Sequence, residues 1–208
     1  YQLEQKWLCQ VIMFQCHELF GNDSTKTINK EDMLAGFFAG VTGKGRIMDP
    51  IIATTYTDDK MKSVKEASLL ERFGENKAAG EKFLEENKAK EGVVTTESGL
   101  QYKVITEGKG QVPTSTDRVK VHYKGTLIDG TEFDSSYSRK DKDGNPQPST
   151  FRANQVINGW TEALTMMPIG SKWELYIPQE LAYGSQDTGT IPPFSTLIFE
   201  VELLSIEK

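Results

Sequence analysis

The stretch VHYKGTLIDGTEFDSS, Val121 to Ser136, alternates like a β-hairpin, yet it places Tyr123, Phe133 and Asp134 where a packed sheet would accept plain aliphatic side chains. More rings follow: Phe151, Trp160, Tyr183 and Phe199, with Val156, Ile157 and Ile191 among them. Aromatic residues thus recur at places that could form a pocket. A plain aromatic core would account for many of these residues. Three details point beyond it: Asp134 directly follows Phe133, Tyr183 sits in a Gly-flanked loop, and Trp160 opens a helical segment.

The usual parts of other chemistries are missing. Only two histidines are present, His17 in a helical segment and His122 on the strand face opposite Tyr123, so neither a His-based acid/base pair nor a metal site is expected. There is no G-x-S-x-G and no Gly-rich phosphate loop ahead of a helix, and no cofactor is expected. A formal charge of −6, from 24 Lys plus Arg against 30 Asp plus Glu, provides no basic field for a nucleic acid. No run approaches the ~18 apolar residues that span a bilayer. Val11 to Phe14 is too short for a signal-peptide core. Because the chain opens on Tyr1, a trimmed or processed product is expected, and its original targeting cannot be read. Cys9 and Cys16, seven apart on a helical stretch, are separated by about 10 Å of rise and are expected to be small core residues, not a disulfide.

The elements that must position the rings divide near Gly92. Before it, apolar residues recur at helical spacing, and half of the residues from Asp58 to Glu91 are charged. Leu3 to Phe20 reads as a helix with an apolar face through Trp7, Leu8, Val11, Ile12 and Leu19. A second helix follows Asn29, whose side chain can cap it, with Met33, Leu34, Phe37, Phe38 and Val41 on one side. A third starts at Asp49-Pro50, and no proline interrupts the chain from there to Gly92. So long and polar a helix is expected to be a spacer, with a break possible at Gly74 or Gly80 and an i, i+4 pair between Glu86 and Lys90. The alternative is a helix packed back on the second domain.

After Gly92, Leu100-Tyr102-Val104, Val119-Val121-Tyr123, Trp173-Leu175-Ile177 and Leu197-Phe199-Val201-Leu203 alternate as half-buried antiparallel strands. Asp129-Gly130 marks a hairpin turn, and Gly159 to Leu164 is the single good helix candidate, ended by Pro168 and Gly170. The pattern predicts an α+β domain, an antiparallel sheet with one helix across it.

VHYKGTLIDGTEFDSS, then QVINGWTEAL from Gln155 to Leu164, then IPQELAYGSQDTGTIPPFSTLIFEVELLSIE from Ile177 to Glu207 resemble FKBP-type peptidyl-prolyl cis/trans isomerases, with all three blocks in the right order. AGEKFLEENKAKEGVVTTESGLQYKV, Ala79 to Val104, is similar to the linker-to-domain junction of the Mip-like bacterial subgroup. The resemblance implies a curved antiparallel sheet wrapped on one short helix over residues 92–208, a helical dimerisation region over 1–48 and a long spacer helix over 49–91. It implies isomerisation of Xaa-Pro bonds in proline-containing peptides and unfolded proteins during folding, chaperone-like client binding, and macrolide ligands as inhibitors. A homodimer through the N-terminal helices and a periplasmic or envelope location are implied as well, with the cytoplasm as alternative. A non-catalytic chaperone or binding module of the same fold is the alternative function.

Carried over by position, the family's pocket falls on Tyr123, Phe133, Asp134, Phe151, Val156, Ile157, Trp160, Tyr183, Ile191 and Phe199. Trp160 is then the floor beneath a prolyl ring, with Phe133, Phe199 and Tyr123 as walls and Val156 and Ile157 as the lip. Tyr183 bonds a substrate carbonyl, and Asp134 orients or polarises the amide. Arg139 matches a basic residue that the family keeps near this carboxylate. The chain departs from the pattern at Lys140 to Pro148, which is longer and more charged, and at Asp187 or Thr188, where well-known members carry His.

Overall fold

A computed structural model describes Asn29, Glu31, Asp32, Ala35, Gly36 and residues 50–207. Cys9, Cys16, His17, the expected helix from Leu3 to Phe20 and the apolar stripe from Met33 to Val41 lie outside the described residues, as does Asp49. The expected cap at Asn29 is present: its Oδ1 accepts the backbone N–H of Glu31 at 3.0 Å and of Asp32 at 3.4 Å.

Helix α1 runs over Pro50–Asn87, 38 residues without a break at Gly74 or Gly80. It ends four residues short of Glu91 because Asn87 turns inward, donating from Nδ2 to Gln101 Oε1 at 3.0 Å, while Lys90 N–H bonds back to Asn87 O. Lys90 therefore lies beyond the helix, with its ammonium over the Phe83 ring, and Glu86 pairs with Lys82 instead of the expected Lys90. Two compact units divide the chain at Arg72/Phe73, so the last turns of α1 belong with the β-rich unit.

That unit holds seven antiparallel strands: β1 (Val93–Thr95), β2 (Gln101–Thr106), β3 (Arg118–Leu127), β4 (Glu132–Ser135), β5 (Ser149–Arg152), β6 (Lys172–Ile177) and β7 (Leu197–Glu207). Their order is β1-β2-β6-β7-β3-β4, with β5 also on β3. Helix α2, Asn158–Leu164, is the one α-helix among the described residues after Gly92, as the sequence predicts, and a single 3-10 turn follows at Gln179–Leu181. Alternation sends Val119, Val121 and Tyr123 of β3 and Leu197, Phe199, Val201 and Leu203 of β7 into the core, where they join Trp173, Leu175 and Ile177 of β6 with Ala163, Leu164 and Met167. Each such Leu or Val stabilises the fold by roughly 1.5–3 kcal/mol. Gly159 lets α2 lie close on β6, since a Cβ there would sit 2.5 Å from Ile177 Cγ2.

The long strand β3 shares one edge between two partners: β5 pairs with Arg118 to Val121, and β4 with Lys124 to Thr126. The pairing is interrupted at His122 and Tyr123, and this gap opens the sheet where the rings gather.

Candidate active site

Tyr123 points inward from the gap. Its backbone lies outside the registers with β4 and β5, and two serines meet it: the backbone N–H of Ser136 donates to Tyr123 O at 2.9 Å, and the Ser136 side-chain Oγ accepts the Tyr123 N–H at 2.9 Å. The Ser135 hydroxyl adds a bond to the same carbonyl at 3.4 Å. These buried hydroxyls hold the strand at the site, a role that sequence reading did not assign to them. Its only trace was a Ser-Ser pair directly after Asp134.

Trp160 is the centre of the ring cluster, 4% exposed. Tyr123, Phe151 and Phe199 stand edge-on around it, with centroids at 5.2, 5.7 and 5.2 Å and interplanar angles of 86°, 86° and 80°. Phe133 extends the cluster through Phe199, 5.4 Å away at 85°. Such edge-to-face pairs contribute about 0.5–1.5 kcal/mol each beyond area burial. Gly125 makes the last pair possible, because a Cβ there would lie 2.7 Å from both the Phe133 and Phe199 rings. Ile191 belongs to the same core cluster, and Val156 and Ile157 are half-buried against it. The buried Trp160 Nε1 has no hydrogen-bond partner, leaving one unmet donor within an otherwise apolar enclosure.

One corner is polar. The Tyr123 hydroxyl donates to Asp134 Oδ2 at 2.6 Å, and Arg139 Nη2 donates to the phenol oxygen and, at 3.0 Å, to Asp134 Oδ1. The guanidinium also lies 5.6 Å from the Tyr123 ring centroid. Burial, reinforced by the neighbouring Asp134 carboxylate and opposed by Arg139, pushes the Tyr123 phenol above its ordinary range. It is therefore a neutral donor at physiological pH. Arg139 is anchored in turn: its Nη1 reaches Ser149 Oγ at 3.2 Å, and its carbonyl accepts the Gln147 N–H at 2.8 Å. The charged segment from Lys140 to Pro148 is a small hairpin closed by a Lys140–Pro146 bridge, so it braces Arg139 from behind.

Both Asp134 oxygens are thus engaged by the protein. Each oxygen keeps a further lone pair and the carboxylate is half-exposed, so Asp134 holds Tyr123 and Arg139 and still presents acceptor capacity outward. Tyr183 stands apart, 36% exposed and in none of the ring pairs named above. Its loop is shaped by Gly184, whose N–H bonds Gln179 O and whose carbonyl accepts the Phe194 N–H. At the position where Asp187 or Thr188 replaces a family His, Asp187 Oδ1 accepts from Gly189 N–H and Thr188 Oγ1 from Ile191 N–H, closing a tight turn. His122 faces away, bonded to Ser136 Oγ through Nδ1 and stacked on Tyr137 at 4.8 Å. Among the described residues no group of three His, Cys, Asp or Glu could hold a metal, and no helix is long and apolar enough to cross a membrane.

An antiparallel sheet closed by one short helix over a ring-lined enclosure defines an α+β binding domain of the FKBP class, and comparison with known proteins agrees. The FKBP-type peptidyl-prolyl cis-trans isomerase profile matches residues 109–204, and the domain amino terminal to FKBP-type peptidyl-prolyl isomerase matches residues 13–104. The FKBP-type 22 kDa peptidyl-prolyl cis-trans isomerase of Escherichia coli (strain K12) is 51% identical over 180 residues, covering 85% of this chain and 82% of that protein. The outer membrane protein MIP of Legionella longbeachae is 42% identical over 193 residues, covering 87% and 77% respectively. The crystal structure of FkpA from Escherichia coli aligns with a TM-score of 0.63 at 36% identity, over 99% of this chain and 92% of that one. The chain belongs to the FKBP-type peptidyl-prolyl cis-trans isomerases.

Proposed function

We propose that this isomerase acts on Xaa-Pro bonds of unfolded and partly folded proteins by seating the prolyl ring on Trp160 between Tyr123, Phe133, Phe151 and Phe199. Rotation about the bond costs ~18–20 kcal/mol because amide resonance is broken. The twisted amide carries less charge separation than the planar one, so a dry enclosure destabilises the planar ground state relative to the transition state. No acid, base or nucleophile is required. A thousandfold acceleration asks for about 4 kcal/mol, within reach of desolvation plus one or two hydrogen bonds. The observation that carries this reading is the edge-on arrangement of rings around Trp160, joined through Tyr123 to the half-exposed Asp134 and Arg139.

In this reading the Tyr183 hydroxyl meets a substrate carbonyl and the lip at Val156 and Ile157 meets peptide backbone. Macrolide ligands of this family are expected to compete for the same enclosure. Residues 1–48 are proposed to pair two chains and so present two sites to one client, which raises apparent affinity through effective concentration. An envelope or periplasmic location is proposed from the named outer membrane relative. The test is turnover of a Xaa-Pro tetrapeptide with and without a macrolide, together with light scattering of the full chain. No turnover by the wild type refutes the catalytic reading, and a monomer refutes the pairing.

A further inference from the structure

The last turns of α1 carry one inward stripe: Phe73, Gly74, Asn76, Lys77, Gly80, Phe83, Leu84 and Asn87 are the shielded positions, recurring at helical spacing, while the other residues from Glu75 to Glu86 are exposed. Two anchors hold the far end, the Asn87–Gln101 bond already described and a bond from Gln101 Nε2 to Leu84 O at 2.9 Å, with Phe83 against Tyr176 at 6.0 Å. The nearer residues touch a different place. Asn76 Nδ2 donates to Pro193 O at 3.3 Å, and the backbone of Gly80 lies directly on Thr196.

Pro193 and Thr196 flank Phe194, which is buried and holds a φ of 60°, a left-handed conformation that a non-glycine residue keeps only when its surroundings impose it. The Phe194 N–H donates to Gly184 O at 2.7 Å, and Gly184 follows Tyr183. Ile191, packed with Trp160 in the core, begins the same segment. Helix, strained segment and Tyr183 loop are therefore linked by two hydrogen bonds and one close contact. We propose that the Asn76–Gly80 turn of α1 is a brace that sets this segment, making Asn76 and Gly80 positioning residues for the Tyr183 and Ile191 side of the isomerase site. The inference rests on the isomerase reading for its consequence in turnover, but not for the brace itself.

Gly80→Ala in the full chain is the direct test. On a free helix face the change favours helix and leaves a neighbouring loop undisturbed. Here the added Cβ would lie 2.3 Å from Thr196 Oγ1 and 3.1 Å from Thr196 Cβ, so helix and segment must separate. The expected results are a drop of about fivefold in kcat/KM on a Xaa-Pro tetrapeptide and faster amide hydrogen exchange at Gly184 and Phe194. The double variant Gly80→Ala/Thr196→Ala, which removes the closest clashing atom, should recover much of both. Asn76→Ala adds no atoms and should shift exchange in the same direction, which keeps the test decisive if Gly80→Ala folds poorly. Ala79→Gly, on the exposed face, weakens the helix without touching the segment and should leave both readouts near wild type. Unchanged turnover and exchange in Gly80→Ala and Asn76→Ala overturn the brace, as does a loss shared equally by Ala79→Gly or one that Thr196→Ala fails to relieve. If the wild type lacks turnover, the isomerase reading fails while exchange still decides the brace.

Discussion

Replacing Tyr123 by Phe removes a single oxygen from the centre of the polar corner and leaves the ring among Trp160, Phe151 and Phe199. That oxygen donates to Asp134 and accepts from Arg139. Hydrogen bonds to charged groups contribute roughly 1.5–3 kcal/mol when the partners stay dry, but the Asp134 and Arg139 side chains are 51% and 48% exposed, and water can replace the lost partner. The stability cost should therefore fall below that range, about 1 kcal/mol, or a fall in Tm of about 2–4 °C. Turnover should suffer more. With a prolyl peptide seated, water is displaced from the corner and Asp134 and Arg139 lose their common ligand, so kcat/KM on a Xaa-Pro tetrapeptide should fall about tenfold, equivalent to about 1.4 kcal/mol of transition-state stabilisation. A protease-coupled assay and a melting curve on the same preparation give both numbers. Wild-type kcat/KM in Tyr123→Phe would show that the phenol does not organise the site, and a Tm loss several times larger would show that its hydroxyl carries the fold.

Asp134→Leu should lower turnover with little change in Tm, because its carboxylate is half-exposed and serves Tyr123 and Arg139; full kcat/KM on the tetrapeptide would remove it from the mechanism. Tyr183→Phe should reduce kcat/KM without altering the melting curve, since the side chain is exposed and outside the ring cluster; an equal loss of stability would mean the loop depends on the hydroxyl. Trp160→Ala should abolish macrolide binding measured by calorimetry and also cost about 3–5 kcal/mol in denaturant unfolding, because the indole is both cluster centre and buried core; retained affinity would refute its place under the ligand. Tyr176 is pushed up to about 12, first by burial and then by its hydrogen bond to Glu174. The folded state keeps this proton after the unfolded state has lost it, so the contribution is complete below pH 10 and is lost between pH 10 and 12, by about 3 kcal/mol. Tyr176→Phe should make the alkaline fall in stability shallower, and an unchanged slope in chemical denaturation across that range would contradict the assignment.

How much of this was legible in the sequence depends on whether a residue's type announces its neighbours. Period-two alternation in β3, β6 and β7 identified the core faces, because a half-buried strand admits no other pattern. The rings around Trp160 were legible through a family resemblance, since periodicity alone cannot tell a cluster with an open side from a filled core. The packing of the last turns of α1 within the β-rich unit was not legible as the favoured reading. Its inward stripe runs through Asn76, Lys77, Gly80 and Asn87 as well as Phe83 and Leu84, so the face that packs is polar and small and gives almost no amphipathic signal.

The three devices missed share a cause. Ser135 and Ser136 supply the hydrogen bonds that Tyr123 lacks in the gap between β4 and β5, and Asn87 closes the helix by bonding Gln101. Gly80 contributes only by having no side chain where Thr196 stands. Each matters through what the fold brings opposite it, and hydroxyls, amides and glycines are equally at home in loops and on surfaces. The hydrophobic pattern thus locates the enclosure, while the polar and small residues that hold its surroundings carry no pattern of their own. For an isomerase that moves no proton and forms no bond, the position of those surroundings is a large part of the chemistry, because only contacts that change as the amide twists can lower the barrier.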